Sequence, residues 1–412
     1  MSRTILHVDL NNFYASVECL YNPSIRDNAV AVVGDAEARH GIVLAKNGIA
    51  KKLGVKTGDA IWEAKQKCRD LVTVSADFRK YLRFSKLAKA VYADYTNQIE
   101  PFGVDECWLD VTGSTHLFGS GKEIADEIRA RFKEQLGLTA SVGVSFNKIF
   151  AKLGSDIKKP DATTVISEEN FREIVWPLPV GELLYVGRST RNKLNNRSIY
   201  TIGDLANRDI EKLKLLLGVW GETLWYFSNG LDGAPVRQIG EESLIKSIGN
   251  STTTARDLVN PQDVKLIIYV LAESVAARLR KHGLRCRTVS ISVRDKDLYS
   301  FERQSKLKQP TFISEEIAGK AMDIFNASYN WDKPIRSVGV RGMDLVTADG
   351  NIQLDLFDGD NILGETLERT IDSLRKRFGH YSIQRCAMLL DRHLTGFNPK
   401  DDHTIHPVSY FK

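Results

Sequence analysis

Apolar and polar positions change period several times along the 412-residue chain. Residues 4–9 hold a short apolar run, Ile5-Leu6-His7-Val8, that predicts a core strand. Residues 13–20 predict a helix, with Asn11 or Asn12 as its N-cap. Residues 29–33 and 41–45 predict two more buried strands. Residues 47–53 predict a helix closed by Gly54, and residues 61–68 another. From 78 to 99, Tyr81, Phe84, Leu87, Ala88, Val91, Tyr92 and Tyr95 recur at helical spacing, which predicts one long amphipathic helix. Residues 139–144 predict a strand, and residues 147–158 a helix stopped by Pro160. Strands mixed with crossing helices predict an α+β module.

Residues 168–232 change character and predict short helices joined by turns. Val186-Gly187-Arg188-Ser189-Thr190, then Lys193-Leu194, then Ile199 to Leu205, have the form of a helix–hairpin–helix. There a glycine turn offers backbone N–H groups to a DNA phosphate. Ser189 stands where a second glycine is usual, so a plain helical turn stays open as an alternative. Glu241-Glu242-Ser243 reads as an exposed tether. Residues 244–345 then predict β-α-β-β-α-β. The middle of this module carries Arg278, Arg280, Lys281, Arg285, Arg287, Arg294, Lys296, Arg303, Lys306 and Lys308. Such a run is read equally as solvated surface or as a face that tracks phosphates. Further on, Gln353-Leu354-Asp355-Leu356-Phe357 is an apolar plug between turn and acidic residues, the pattern of a peptide that docks into a partner. Residues 363–390 predict one or two amphipathic helices, and 398–412 are polar.

Length alone calls for two to four domains. A composition of 42% hydrophobic and 26% charged residues excludes a disordered chain. No apolar run is long enough to span a bilayer, and no signal peptide is expected before the first strand. The five cysteines stand singly, without CxxC, which excludes a zinc ribbon or disulfide framework and fits a reducing cytoplasm. A net charge of +5 leaves a nucleic-acid partner to be decided by where the charge sits.

The chemistry lies in two acidic segments. One is Asp9, at the end of the first strand. The other is Asp105-Glu106 in Phe102-Gly103-Val104-Asp105-Glu106-Cys107-Trp108-Leu109-Asp110. Carboxylates set in strand-like apolar sequence are costly to bury unless paired or metal-bound. A single such acid is ordinarily a surface residue. Three converging make a site for two hard divalent cations, the apparatus of phosphoryl transfer. Adjacent residues of a regular strand face opposite sides. Asp105 and Glu106 therefore share a site only near a distortion, which Gly103 permits.

These segments resemble the Y-family, or translesion, DNA polymerases. Asp9-Leu10-Asn11-Asn12-Phe13-Tyr14-Ala15-Ser16-Val17-Glu18 is similar to the family's first signature, and Val104 to Asp110 to its second. Val142 to Lys148 and Ala151 to Pro160 resemble the third. Lys246-Ser247-Ile248-Gly249 is similar to the entry of the family's little-finger domain. The order matches over residues 4–345.

The resemblance implies an α+β right hand: palm at 1–10 and 78–167, fingers at 11–77, thumb at 168–232, linker at 233–242, little finger at 243–349 and a tail at 350–412. It implies that Asp9, Asp105, Glu106 and the backbone carbonyl of Leu10 bind two Mg²⁺ ions, with Mn²⁺ as a substitute. Tyr14 would be the steric gate against a ribose 2′-hydroxyl, backed by Phe13. Lys51 and Lys159 would hold the triphosphate. Gly187, Lys246, Arg285 and Arg287 would meet DNA. The family usually has Tyr and Arg where this chain has Gly48 and Lys51. Lysine neutralises phosphate without bidentate geometry, so the grip is weaker or passes to another residue such as Lys46. This pattern, with the long tail, is similar to the branch of the DNA polymerase V catalytic subunit rather than to polymerase IV.

Gln353, Leu354, Asp355, Leu356 and Phe357 resemble a bacterial sliding-clamp-binding motif, which raises effective concentration at the primer end. The implied partners are primer–template DNA, dNTPs, the clamp's β subunit and a regulatory accessory protein. The implied state is a cytoplasmic, nucleoid-associated monomer. Two other readings of the residues stay open. A palm-type nucleotide cyclase also uses paired acids, but has no need of a helix–hairpin–helix or a basic second module. A silent DNA- and clamp-binding protein would not need all three acids.

Overall fold

The apolar run Ile5–Leu10 is buried throughout and forms β1, the centre of a five-stranded sheet. A computed structural model describes this and the other residues at 3–34, 41–241, 244–348 and 362–399. They divide into two units, with the chain boundary after residue 242. In the first unit, β2 (Val30–Val33), β3 (Val43–Lys46) and β4 (Val72–Ser75) make a small sheet in the order β3-β2-β4. It has its own core, including Val33, Val43, Ala50 and Leu71. The central sheet adds β5 (Ile99–Pro101), β6 (Glu106–Asp110), β7 (Ala140–Ser145) and β8 (Thr163–Ile166), in the order β5-β6-β1-β7-β8.

The helix expected over 78–99 ends at Ala93. Its apolar rhythm runs on through buried Tyr95, but Ile99–Pro101 pairs with β6 instead. A sheet edge needing partners outweighs helical periodicity here. Asn147 caps the helix Lys148–Ile157 by accepting from Phe150 N. This helix presses on β7 at Gly143, where a Cβ would come 1.9 Å from the Ala151 carbonyl oxygen. Only glycine allows that approach. The close contact brings Lys152 and Ser155 over the end of β1.

The helical residues 171–228 share a core with the helix Lys148–Ile157 through Ile149, Phe150 and Leu153. Glu241 is exposed, as the tether reading expects, but the residues before it, 232–239, are docked. Arg3 donates to the carbonyls of Asp232 (2.8 Å) and Ala234 (2.9 Å). Val236 is buried with Ile5 and Trp108. Ile239 N donates to the Asn97 carbonyl at 2.9 Å. Burial of Val236 and the hold of Arg3 on this stretch depend on partners more than 100 positions away, which a polar, turn-rich sequence does not reveal.

The second unit has the expected β-α-β-β-α-β order: β9 (Ser247–Leu258), helix Pro261–Lys281, β10 (Leu284–Asp295), β11 (Ser300–Thr311), helix Ser314–Ser328 and β12 (Ile335–Thr347). The sheet runs β11-β10-β12-β9, antiparallel throughout. The helix Ile362–Phe378 and the turns after it fold onto this unit through ion pairs. The expected docking peptide, Gln353–Phe357, lies outside the described residues.

Candidate active site

Asp9 and Glu106 meet at one end of β1 and β6, and Asp105 leads into Glu106 at that end. Asp9 stands opposite Glu106 in antiparallel register. Opposed residues share a face of the sheet. Asp105 sits in a bend just before β6, and its carbonyl accepts from Leu10 N at 3.1 Å. The bend is the distortion that two adjacent acids require.

Two lysines reach the same acids from the helix Lys148–Ile157 and the loop after it. Lys152 Nζ is 3.0 Å from Glu106 Oε2, 3.2 Å from Asp156 Oδ2 and 3.5 Å from Asp9 Oδ2. Lys159 Nζ is 2.6 Å from Asp9 Oδ2 and 2.7 Å from Asp156 Oδ1. His7, fully buried, places Nδ1 at 2.9 Å from Ser155 Oγ. Its Nε2 stands 3.3 Å from Glu106 Oε2, but neither atom completes an aligned hydrogen bond. The sequence motifs assign no role to His7, Lys152 or Asp156. Lys152 was legible as the one cation within the Ala151–Pro160 motif four residues before an acid.

The charges follow from burial. Burial, then Glu106 and Asp9, push the Asp105 carboxyl up to about 7. Burial and the Glu106 charge also lift Asp9 above its ordinary value, against the pull of Lys152 and Lys159. Burial opposes ionisation of Glu106 too, but His7 and Lys152 overcome it and hold that carboxyl below the usual range. Asp9 and Asp105 are therefore short of positive charge, whereas Glu106 is not.

Among the described residues no three Asp, Glu, His or Cys side chains are gathered closely enough to chelate one ion. The lysine ammoniums lie among the carboxylates instead. The donor chemistry still fits a hard divalent cation. Every donor is an oxygen, from three carboxylates and the Leu10 carbonyl, and Lys152 already bridges Asp9 and Glu106 as a positive charge.

Beside the acids lies an aromatic stack. Tyr14 is half-buried and lies parallel to Tyr81, with ring centroids 4.2 Å apart and an interplanar angle of 11°. Phe13 is core, 5.7 Å from the Tyr14 ring. Tyr81 is held by its hydroxyl, which donates to buried Glu18 at 2.8 Å. Burial, with the Asp105 charge nearby, pushes the Tyr14 phenol up to about 12.

Residues 8–156 match the impB/mucB/samB family, and residues 245–356 match the C-terminal domain of that family. A protein named DNA polymerase IV from Acetivibrio thermocellus is 57% identical over 396 residues, covering 96% of this chain and 99% of that protein. The chain belongs to the impB/mucB/samB family. DNA polymerase IV 1 of Bacillus subtilis is 36% identical, covering 94% of each chain. A solved Y-family DNA polymerase chimera superposes with a TM-score of 0.74 at 23% identity, covering 84% of this chain and 99% of that one. The fold is thus the Y-family α+β fold with palm, fingers, thumb and little finger. The activity is that of a DNA-directed DNA polymerase of the translesion class.

The expected branch is corrected. The relatives are named DNA polymerase IV, and nothing supports the polymerase V branch. The long tail is no mark of that branch, because the match to the Acetivibrio protein runs into it.

Other expected site residues of this polymerase fall unevenly. Lys51 is exposed. Lys46 Nζ donates to Thr57 Oγ1 at 3.0 Å, and burial, with Lys51 nearby, lowers its pKa. Among the described residues neither lysine pairs with the three acids. Gly187 precedes the helix Arg188–Asn195 in extended backbone that any residue adopts. The turn that does demand glycine was missed. Gly218 has φ 65°, and a Cβ on Gly221 would come 2.1 Å from the Leu213 carbonyl oxygen. The signal was Gly218-Val219-Trp220-Gly221 between two helical stretches.

Lys246 and Arg287 are exposed. Arg285 is not available as expected. It forms a two-pronged pair with Glu365, at 2.5 and 3.0 Å, and lies over Phe312. Arg280 is likewise spent on Glu368 and Asp372. No helix among the described residues is long and apolar enough to cross a membrane.

Proposed function

We propose that Asp9, Asp105, Glu106 and the Leu10 carbonyl hold two divalent cations, Mg²⁺ with Mn²⁺ as substitute, for template-directed nucleotide transfer. The observation that carries this reading is the pairing of Asp9 and Glu106 across β1 and β6, bridged by Lys152, with Asp105 in the bend that leads into Glu106. The cations would supply activation of the primer 3′-hydroxyl and neutralise charge at the leaving pyrophosphate. The 3′-oxygen bonds to the α-phosphorus of a dNTP as the bond to pyrophosphate breaks.

The side chains supply orientation and charge. Lys159 moves from Asp9 to the triphosphate, with Lys51 or Lys46 as the fingers-side cation. Tyr14, stacked on Tyr81, closes the space beneath the sugar 2′-carbon, and Phe13 supports it from the core. Lys246, Arg287 and the hairpin at Gly187 meet the DNA backbone. Arg285 is left out of that set because Glu365 holds it. Gln353–Phe357 docks on a bacterial sliding clamp, and the enzyme works as a cytoplasmic monomer on the nucleoid.

Primer extension on undamaged and abasic templates tests the reading. Distributive addition with Mg²⁺ or Mn²⁺ is expected on both. Primer–template binding without any addition under either metal would refute it.

A further inference from the structure

The loop carrying Lys159 is tied to the strand carrying Asp9 by one buried amide. Asn11 lies two residues after Asp9 and is 5% exposed. Its Oδ1 accepts from Asp161 N at 2.8 Å. Its Nδ2 donates to Ser141 Oγ at 2.9 Å. The orientation of the amide is set by chemistry. A backbone N–H can only donate, so the oxygen must face Asp161 and the nitrogen must face the serine hydroxyl. Ser141 is itself buried and stands opposite Asp9 in the β1–β7 register. One side chain therefore spans the end of β1, the start of β7 and the loop after the helix Lys148–Ile157.

That loop needs support. Asp161 stands in the left-handed region, at φ 55°. An L-residue holds that backbone at a cost and keeps it only where its surroundings impose it. Arg129 donates to the Asp161 carboxylate at 2.8 Å and to its carbonyl, and Lys133 pairs with the same carboxylate at 2.6 Å. These cations grip the far side of the residue. Asn11 grips the N–H, the side nearest Lys159. Lys159, two residues back, reaches Asp9 at 2.6 Å.

We infer that Asn11 is a positioning residue that sets where the Lys159 ammonium stands over the carboxylate centre. The inference rests on the reading of Lys159 as a triphosphate ligand. It explains how a long, rotamer-rich side chain on an exposed loop is aimed at one point. Its backbone is indexed to the same strand that carries the metal-binding acid. Loss of the Asn11 amide would leave the chemistry of the acids in place and loosen the hold on the nucleotide.

Single-turnover primer extension separates the two effects, because it gives the apparent Kd for dNTP and the incorporation rate constant independently. Asn11→Leu is expected to raise the apparent Kd by about tenfold, the worth of a buried hydrogen bond to the loop. The rate constant should change by less than about threefold on the same grounds. Asn11→Asp keeps the acceptor for Asp161 N and should retain most of the affinity. Lys159→Ala sets the ceiling, and Asn11→Leu added to it should cost little more. If Asn11→Leu leaves the dNTP Kd unchanged, or weakens binding in full on the Lys159→Ala background, the inference is wrong. If Lys159→Ala itself leaves the dNTP Kd unchanged, the triphosphate reading fails instead. Should Asn11→Leu not fold, Asn11→Ser is read by the same criteria, since it is too short to reach Asp161.

Discussion

Glu368 is expected to hold the C-terminal segment onto the second unit and to cap a helix it does not belong to. The carboxylate and its partner Arg280 are both nearly buried, with side chains 8% and 5% exposed, and they pair at 2.8 Å. Its other oxygen accepts from Ser314 N at 3.1 Å and from the Ser314 hydroxyl. Ser314 opens the helix Ser314–Ser328, whose own N-cap position, Ile313, has no side chain that can accept. A carboxylate from the tail therefore satisfies an orphan N–H and faces the positive end of the helix dipole. Glu368→Ala removes a charged hydrogen bond, worth roughly 1.5–3 kcal/mol, and a cap worth about 1 kcal/mol. Arg280 keeps Asp372 at 2.6 and 2.9 Å and the Phe312 carbonyl at 2.8 Å. The loss should then fall at about 2–4 kcal/mol rather than at the top of the range for a stripped buried charge. Glu368→Gln keeps an acceptor for Ser314 and should lose about half as much. Hydrogen exchange on the full chain is the assay, because a two-unit chain has no single unfolding free energy. The amides of helices Ser314–Ser328 and Ile362–Phe378 should lose protection together. A change below about 0.5 kcal/mol, or equal losses for Ala and Gln, would refute the capping argument.

Three further outcomes follow from the same geometry. Lys152→Ala strips an ammonium shared by three acids, so it should lower hydrogen-exchange protection of β1 and β6 in the metal-free protein. Excess Mg²⁺ should then restore protection more than in the parent, and a gain no larger than the parent's would show that Lys152 does not stand in for a cation. Tyr14→Ala removes the ring stacked on Tyr81 and should raise ribonucleotide incorporation about tenfold or more relative to dNTP. Unchanged sugar selectivity in a competition assay would take Tyr14 out of the gate. Hydrogen bonds from Arg256 hold the Asp263 and Asp391 carboxyls below the usual range. A depressed carboxyl stabilises the fold above its unfolded value, about pH 4, and loses that contribution as pH falls through its folded value. Exchange protection of residues 391–395 should thus drop on acidification below about pH 4 and stay flat near neutrality, whereas a loss between pH 6 and 8 would point to another group.

The elements were legible wherever the apolar period is strong and local. The β-α-β-β-α-β order of the second unit was expected from alternation alone and is what the chain adopts. The boundary at Ala93 was not, because Tyr95 continues the helical rhythm while a strand partner claims Ile99–Pro101. The hairpin at Gly218–Gly221 was passed over because its need for glycine comes from the Leu213 carbonyl, a neighbour only after folding. Basic residues were the least legible. Arg280 and Arg285 look like open cations in sequence, yet acids 92 and 80 positions later neutralise them.

The chain by itself marked the residues proposed to carry the chemistry. Asp9, Tyr14, Asp105, Glu106 and Lys159 are marked by short motifs whose meaning is local: strand end, helix start, bend, loop. Tertiary structure decided what surrounds them. Lys152 and Lys159 stand 143 and 150 positions from Asp9, and Asn11 reaches Asp161 across another 150. Local sequence sets backbone period and side-chain type. The charge on a buried carboxylate, and the aim of a lysine toward it, depend on low-dielectric neighbours that only the folded sheet and its close-packed helix bring within reach.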